Sequence, residues 1–157
     1  MIIEQYTDKY KNEVVKLIVD IQRQEFGVDL TVENQPDLQK IPTYYQIGNG
    51  NFWIAKNENG VIGTISLLDI GNNQGALRKM FVAKNYRGKD FGIGQKLLET
   101  LIFWANEKGI KEIFLGTTAQ FIGAQKFYEK NGFVELNKND LPKNFPIVPV
   151  DVKFYKK

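Results

Sequence analysis

A strand–helix–strand unit between residues 76 and 117 constrains the fold more than any other feature of the sequence. The segment ALRKMFVAK is rich in β-forming residues, and KEIFLGTT has the composition of a buried strand. Between them, apolar residues recur at the three- and four-residue spacing of a helix, namely Ile93, Leu97, Leu98, Leu101, Ile102 and Ala105. Because such units close by a right-handed crossover, the two strands are predicted to be parallel.

The other segments predict strands and helices around this unit. MIIEQY is β-rich and precedes an amphipathic helix that Gly27 ends, and a short irregular helical region follows up to residue 50. NFWIAK, VIGTISLLDI and ALRKMFVAK form a meander with a tight hairpin at Asn59-Gly60. AQFIGAQKFYEKNGF predicts a helix that ends at Asn131-Gly132, and FVEL and VPVDVKFYKK are the final strands.

The element order is therefore β, α, α, β, β, β, α, β, α, β, β, which predicts a mixed sheet covered by helices. The chain has 157 residues, without a repeat, a linker or a shift in composition. This length suits one compact core, so a single domain over residues 1–157 is expected.

Composition excludes several classes of chemistry. The sequence contains no cysteine and no histidine, which excludes disulfides, thiolate nucleophiles, imidazole bases and the usual zinc sites, and no metal is expected. The net charge of +3 comes from scattered lysines, so no nucleic-acid surface is predicted. No apolar run approaches the roughly 18 residues of a membrane span, and the N-terminus lacks a secretory pattern, so a cytoplasmic protein is expected.

The stretch YRGKDFGIGQKLL, residues 86–98, combines glycines and cations where a helix is predicted to begin. The first N–H groups of a helix lack intrahelical partners, and the helix dipole adds positive charge there. Gly88, Gly92 and Gly94 would let a diphosphate approach these amides closely, and Arg87 and Lys89 would add charge. The alternative is that the glycines make an ordinary connecting turn and that the cations are solvated.

Neither of two common phosphate-binding loops fits this stretch. A Walker A loop that starts at Gly88 would need glycine at residue 93, which is Ile93. A dinucleotide fingerprint that starts at Gly92 would need glycine at residue 97, which is Leu97. An enzyme acting on nucleotide phosphates is therefore disfavoured.

The sequence from residue 77 to residue 133 resembles the GNAT superfamily of acyl-CoA N-acyltransferases. Gly92-Ile93-Gly94 followed by QKLLETLIFWANEKG is similar to the end of motif A, [QR]-x-x-G-x-[GA], with Lys89 at the position of Gln or Arg. AQFIGAQKFYEKNGF is similar to motif B, with Phe121 where asparagine is often found. The resemblance implies an α/β (α+β) fold with a mostly antiparallel sheet, a central parallel strand pair and flanking helices.

The resemblance also implies a function and a site. The expected activity is transfer of an acetyl group from acetyl-CoA to an amine acceptor, with Tyr128 as the general acid. The pantetheine arm would pair with the backbone of Met80, Phe81 and Val82, and an N–H near Phe81 or Val82 would stabilise the oxyanion. The residues expected around the diphosphate are Arg87, Gly88, Lys89, Phe91, Gly92, Ile93, Gly94 and Gln95.

Several assignments stay open at this point. The general base has three candidates, Asp69, Glu25 and Glu33, each of which is also an ordinary surface carboxylate. Four aromatic residues either line the acceptor site or simply pack, namely Tyr44, Tyr45, Phe145 and Phe154. The acceptor is a small molecule, a peptide or a protein amine. A non-catalytic acyl-CoA binding or sensing module is the alternative function, and a homodimer is possible.

Overall fold

The computed structural model describes residues 1–25, 27, 29–118 and 122–157, with only the backbone of Ile122. Within these residues one sheet contains seven strands in the order β1-β2-β3-β4-β5-β7-β6. Their bounds are β1 Ile2–Gln5, β2 Asn51–Asn57, β3 Gly60–Gly71, β4 Gln74–Val82, β5 Glu112–Thr117, β6 Val134–Leu136 and β7 Lys153–Lys156. Neighbouring strands are antiparallel except for β4 and β5, which are parallel as predicted. The predicted fold class is confirmed.

The helices follow the predicted order. Their bounds are α1 Lys11–Asp20, α2 Ile41–Tyr44, α3 Ile93–Glu107 and α4 Ile122–Lys130. The first helix does not run regularly to Gly27, because a wider π-helical turn, Ile21–Glu25, follows α1. Among the described helices, none has the length and apolar character needed to cross a bilayer.

Two turns of the meander differ in their backbone conformation. At the β2–β3 turn Gly60 has a φ of 106°, whereas Asn59 is not in the positive-φ region that the hairpin prediction gave it. Both central residues of the β3–β4 turn, Asn72 and Asn73, have positive φ, at 55° and 59°. This pattern is that of a type I′ hairpin, which asparagine tolerates better than most residues.

Helices cover both faces of the sheet. Trp53 and Ala55 of β2 belong to the core that α3 forms, whereas Phe52 and Ile54 belong to the core beneath α1. This alternation is the two-residue period of a strand buried on both sides. The α3 stripe, Leu97, Leu98 and Leu101, is fully buried, and each such side chain contributes roughly 1.5–3 kcal/mol to folding.

The centre of the sheet separates where β4 and β5 meet. Gln74, Gly75 and Ala76 of β4 pair with β5, but the rest of β4 has no partner strand on that side within the described residues. Beyond the paired part, β5 remains paired with β7 up to Thr117. The two parallel strands therefore diverge and leave a wedge-shaped opening between them.

A β-bulge in β4 lies beside this opening. Thr64 pairs with Phe81 and Ser66 pairs with Arg78, so β4 has one residue more than β3 between these two pairs. Lys79, within the bulge, has a φ of 55°. The Thr64 hydroxyl donates to the Lys79 carbonyl at 2.7 Å and the Ser66 hydroxyl to the Arg78 carbonyl at 2.6 Å. These buried hydroxyls satisfy carbonyls that the interrupted ladder would leave unpaired.

Candidate active site

The opening between β4 and β5 is a cleft of about 140 Å³. One wall is residues 77–81 of β4, and the opposite wall is residues 115–118 with the segment around Phe145 and Asp151. Ala124 and Tyr128 of α4 lie on the α3 side of the cleft, and Gln22 and Leu30 lie on the α1 side. The cleft thus lies at the centre of the sheet, with lining residues from both helical layers.

The exposed edge of β4 offers hydrogen bonds to an extended ligand. Met80 and Phe81, both predicted to bind the cofactor, line the cleft, and Val82 follows them beyond it. On its other side this part of β4 pairs with β3, so the strand is held while its inner edge is open. A strand edge of this kind can bind an extended chain by β-augmentation.

The N-terminus of α3 begins in the glycine-rich loop. Gly92, the N-cap, has a φ of 63°, and Gly88 has a φ of 108°, so both positions favour glycine. The N–H groups of Phe91 and Gly92 donate to the Gly88 carbonyl at 3.3 and 3.2 Å. The first intrahelical bond of α3 runs from the Lys96 N–H to the Gly92 carbonyl.

This hydrogen bonding leaves particular amides available. The N–H groups of Ile93, Gly94 and Gln95 precede the first intrahelical donor, and no described residue accepts from them or from the amides of Lys89 and Asp90. Gly94 also packs closely on β4, because a Cβ there would lie 3.4 Å from Cε of Met80. The start of α3 is thus next to the β4 edge, with donors for an anion.

The two predicted cations of the loop differ in their surroundings. Arg87 forms a bidentate ion pair with Glu25, at 2.6 and 3.1 Å, and its Nε donates to the Val82 carbonyl at 2.7 Å. Lys89 is exposed, and no described carboxylate lies within 4.0 Å of its ammonium. Arg87 therefore fixes the loop to β4 and to the π turn, while Lys89 is available to an anion.

Tyr128 projects from α4 into the cleft and is buried. Its hydroxyl has one weak acceptor among the described residues, Sδ of Met80 at 3.5 Å. Burial, and to a smaller extent the nearby Asp151 carboxylate, raises the pKa of Tyr128 well above its ordinary value. The phenol therefore stays protonated at neutral pH, which is the state that a proton donor requires.

Two hydroxyls in the cleft have no partner among the described residues. Thr117 and Thr118 are each 4% exposed, and neither Oγ1 has a hydrogen-bond partner in the described part of the chain. An unsatisfied buried hydroxyl costs about 1–3 kcal/mol. Both residues line the cleft, so their hydroxyls are complementary to a polar ligand.

The α1 side of the cleft contains a polar cluster that the sequence analysis did not identify. Arg78 and Lys79 line the cleft, and Lys79 contacts Gln35 and lies 3.7 Å from Asp37. The Gln35 side chain exchanges two hydrogen bonds with Gln22, which the π turn presents to the cleft. Two consecutive cations in the otherwise apolar LRKMF strand were the signal that could have revealed this cluster.

Asp151 is the second residue that the sequence analysis missed. It lies in the irregular segment before β7, which is tied to β5 because the Val152 N–H donates to the Thr117 carbonyl at 3.0 Å. Its carboxylate lies against Gly116, where a Cβ would be 2.6 Å from Oδ2. Burial raises the pKa of Asp151 to about 6, although the nearby cations Arg78 and Lys79 oppose this shift.

The three carboxylates considered as bases do not line the cleft. Asp69 accepts hydrogen bonds from the N–H groups of Asn49 and Gly71, both at 2.9 Å, and so orders two turns. Glu25 is paired with Arg87, and Glu33 is exposed. None of the three is therefore placed to take a proton from a substrate in the cleft.

The four predicted aromatic residues divide between lining and packing. Phe145 lines the cleft and stacks edge-on against the buried Phe154, with ring centroids 6.3 Å apart. Tyr45 is fully buried, and Tyr44 accepts a hydrogen bond from Arg78 at 3.0 Å. The prediction about Phe121 lies outside the described residues. Within the described residues, no group of three or more acidic, histidine or cysteine side chains is arranged to hold a metal ion.

Comparison with solved structures shows close relatives of this architecture. A GNAT-family acetyltransferase from Staphylococcus aureus is 43% identical, with a TM-score of 0.95 over 99% of this chain and 97% of the other. An acetyltransferase from Streptococcus agalactiae is 30% identical, with a TM-score of 0.94 over 99% and 96% of the two chains. The fold also matches the PaiA N-acetyltransferase of Thermoplasma acidophilum, solved in complex with coenzyme A, with a TM-score of 0.76 at 19% identity over 99% and 97% of the two chains.

Sequence comparison gives the same family. The N-acetylaspartate synthetase of Xenopus tropicalis is 39% identical over 101 residues, which are 62% of this chain and 36% of that protein. The chain thus spans well under two thirds of the length of this curated relative. The family model described as an acetyltransferase (GNAT) domain matches residues 48–135, which include the glycine-rich loop and Tyr128. The chain belongs to the GNAT acetyltransferase family, whose chemistry is acyl transfer.

Proposed function

We propose that this chain is an acetyl-CoA-dependent N-acetyltransferase that transfers the acetyl group to a primary amine by direct attack. The observation that carries the proposal is the position of the cleft, with the open amides of α3 beyond one end and the Tyr128 hydroxyl inside it. Family membership supports the same chemistry. We also propose that residues 1–157 form a single domain that carries this activity.

The start of α3 would bind the diphosphate of the coenzyme. Because the amides of Phe91 and Gly92 are already bonded to Gly88, the proposed donors are mainly those of Ile93, Gly94 and Gln95. Each contact between an anion and a helix terminus contributes about 0.3–1 kcal/mol, so several amides together are needed. The exposed ammonium of Lys89 would add to the attraction, and Gly88 and Arg87 would hold the loop in shape.

The edge of β4 would bind the pantetheine arm, with the backbone of Met80, Phe81 and Val82 as partners. The unpaired hydroxyls of Thr117 and Thr118 on the facing wall support this fit, since a ligand with amide groups would give them partners. An arm in this position would extend from the α3 terminus into the cleft. The thioester would then lie near Tyr128.

The proposed reaction needs no covalent bond to the protein. Attack of the amine nitrogen on the thioester carbon forms the N–C bond, and a backbone N–H near Phe81 or Val82 donates to the developing oxyanion. As the C–S bond breaks, the Tyr128 hydroxyl donates its proton to the departing thiolate. Most of the rate acceleration would come from holding the two reactants together, which suits a chain that lacks cysteine and histidine.

A non-catalytic acyl-CoA binding module is the competing proposal. It would retain the α3 terminus and the β4 edge but would not need a phenol in the cleft. Among the described residues, the buried Tyr128 hydroxyl has only a weak thioether partner, and a buried hydroxyl without a good hydrogen bond costs stability. This observation favours the enzyme.

Release of free coenzyme A thiol distinguishes the two functions. The protein is mixed with acetyl-CoA and a panel of primary amines, and the thiol is followed with a colorimetric reagent. The enzyme proposal predicts release that depends on the amine and a matching N-acetylated product by mass spectrometry. Saturable coenzyme binding without release on any amine would instead establish the binding module.

A further inference from the structure

The bulge in β4 places two cationic side chains on the same face of the sheet. Leu77 and Met80 pack into the core with α3, on one face. Arg78 contacts Tyr44 and Lys79 contacts Gln35, both on the α1 and α2 face. Regular alternation would send consecutive side chains to opposite faces, but the left-handed backbone at Lys79 interrupts it. The α1 side of the cleft therefore contains two neighbouring positive charges.

One of these charges is already compensated. The Lys79 ammonium lies 3.7 Å from Asp37, and the two side chains are only 10% and 8% exposed. Asp37 also accepts a hydrogen bond from the Tyr45 hydroxyl at 2.6 Å, so its position is fixed from behind. Lys79 and Asp37 form a neutral pair inside the protein.

Arg78 has no such carboxylate partner among the described residues. Its Nη1 donates to the Tyr44 hydroxyl at 3.0 Å, and its guanidinium lies 5.9 Å from the ring centroids of Tyr44 and Tyr45. No described carboxylate lies within 4.0 Å of it. A guanidinium has five N–H donors in a planar fork that matches a carboxylate, so most of its binding capacity is unused.

Asp151 is the matching unpaired anion on the opposite wall. It accepts no hydrogen bond from any described side chain or amide, and its carboxylate is partly buried against Gly116. It is close enough to Tyr128, Arg78 and Lys79 to act on them through space, but it forms no hydrogen bond or ion pair with any of the three. The two walls of the cleft thus carry a guanidinium and a carboxylate, and among the described residues neither has an oppositely charged group within 4.0 Å.

We propose that the acceptor is a small amine that also bears a carboxylate, with the carboxylate bound by Arg78 and the ammonium group facing Asp151. This inference rests on the proposed function of the cleft. A zwitterion satisfies both unpaired charges, whereas an amine without an acidic group would bring a third positive charge close to Arg78 and Lys79 and leave Arg78 without an anion. The cleft volume of about 140 Å³ suits a small acceptor.

Asp151 would also receive a proton from the acceptor. The ammonium group transfers one proton to the Asp151 carboxylate, and the neutral amine attacks the thioester carbon. The nitrogen loses a second proton to water after the N–C bond forms, and Asp151 then releases its proton to solvent. Tyr128 protonates the thiolate and regains its proton from solvent. The sum is an acetamide, free thiol and one released proton, so no further reactant is required.

The test compares amino acids with their own carboxamides as acceptors, since each pair differs by one negative charge. For the wild-type protein, kcat/KM is expected to be at least tenfold higher for the amino acid. In Arg78→Gln this ratio of acid to amide is expected to fall close to one, because charge-assisted hydrogen bonds to the carboxylate are lost. Arg78→Lys keeps the charge without the planar fork and should give an intermediate ratio.

Arg23→Gln is the matched control, because Arg23 is exposed on the π turn and its loss changes the net charge equally. Its ratio should equal that of the wild type. A wild-type protein that uses amides as well as acids would overturn the inference while leaving N-acetyl transfer intact. Retention of the acid preference in Arg78→Gln would overturn the role of Arg78. Absence of thiol release with every amine would overturn the proposed function itself, and this inference with it.

Discussion

Replacement of Tyr128 by phenylalanine removes one hydroxyl and leaves the packing of α4 in place. The Tyr128 ring packs edge-on against Phe127 and Phe133, with centroids 5.7 and 5.6 Å away, and phenylalanine keeps these contacts. Among the described residues, the one hydrogen-bond acceptor of the lost hydroxyl is Sδ of Met80 at 3.5 Å. Since no strong hydrogen bond is broken, the free energy of unfolding should change by less than about 1 kcal/mol.

The expected effect on catalysis is far larger. A positioned general acid contributes about 100- to 10,000-fold to a rate, which corresponds to about 2.7–5.4 kcal/mol of activation free energy. In Tyr128→Phe, kcat should therefore fall at least 100-fold, while the Kd for coenzyme A should change less than about threefold. Thiol release at saturating acetyl-CoA measures kcat, and calorimetry measures Kd.

Tyr155→Phe provides the matched control. The Tyr155 hydroxyl donates to Glu129 at 2.7 Å, its ring centroid lies 6.4 Å from that of Tyr128, and it does not line the cleft. The control should lose about 1 kcal/mol of stability and keep kcat within threefold of the wild type. If Tyr128→Phe retained kcat, or lost coenzyme affinity and kcat to the same extent, Tyr128 would not be the proton donor.

Two further predictions concern the loop and the charged wall. Gly92→Ala and Gly109→Ala both place alanine at positive φ, 63° and 76°, and each should cost roughly 1 kcal/mol of stability. Calorimetry should show that coenzyme A binds about tenfold more weakly to Gly92→Ala, whereas Gly109→Ala, the control, should bind it like the wild type. Equal affinities of the two variants for coenzyme A would show that the loop is not part of the coenzyme site. The pKa of the Asp151 carboxyl, about 6, is above its usual range, so the folded state binds a proton there more tightly than the unfolded state does. The free energy of unfolding therefore declines as the pH rises from about 4 to 6. Asp151→Asn should therefore melt ~2–4 °C higher than the wild type at pH 7.5 and at nearly the same temperature at pH 4, and equal melting temperatures at pH 7.5 would contradict the cost assigned to this carboxylate.

The sequence predicted the elements whose signals are local. The α3 stripe and its stop at Gly109 follow from helical periodicity and a left-handed terminator, and Gly109 indeed has a φ of 76°. The end of α4 follows in the same way, because Gly132 has a φ of 88° and Phe133 packs on Tyr128. Short-range patterns of this kind are sufficient to give element order and type.

The features that shape the cleft depend on contacts between distant parts of the chain. The bulge at Lys79 is held by hydroxyls of Thr64 and Ser66, and nothing in LRKMF alone indicates it. Regular alternation along a strand would place Arg78 and Lys79 on opposite faces. The position of this bulge is determined by the pairing of β4 with β3, which the sequence of β4 alone does not show.

Asp151 could not be selected from the sequence for a similar reason. It lies 35 residues beyond Gly116, against which it packs, and the segment between them contains α4, β6 and an irregular proline-containing stretch. What sets it apart is its position against Gly116 in the cleft and its cationic neighbours, which no motif indicates. Asp69, Glu25 and Glu33 were candidate bases because of their positions in predicted strands and helices. Such positions do not show which side chains line the cleft.

The position of the coenzyme diphosphate in a crystal of the protein grown with coenzyme A tests the central claim most directly. We expect phosphate oxygens within hydrogen-bond distance of the amides of Ile93, Gly94 and Gln95, and the pantetheine arm along the open edge of β4. A coenzyme bound away from the start of α3, or a diphosphate held by side chains alone, would refute the proposed binding mode.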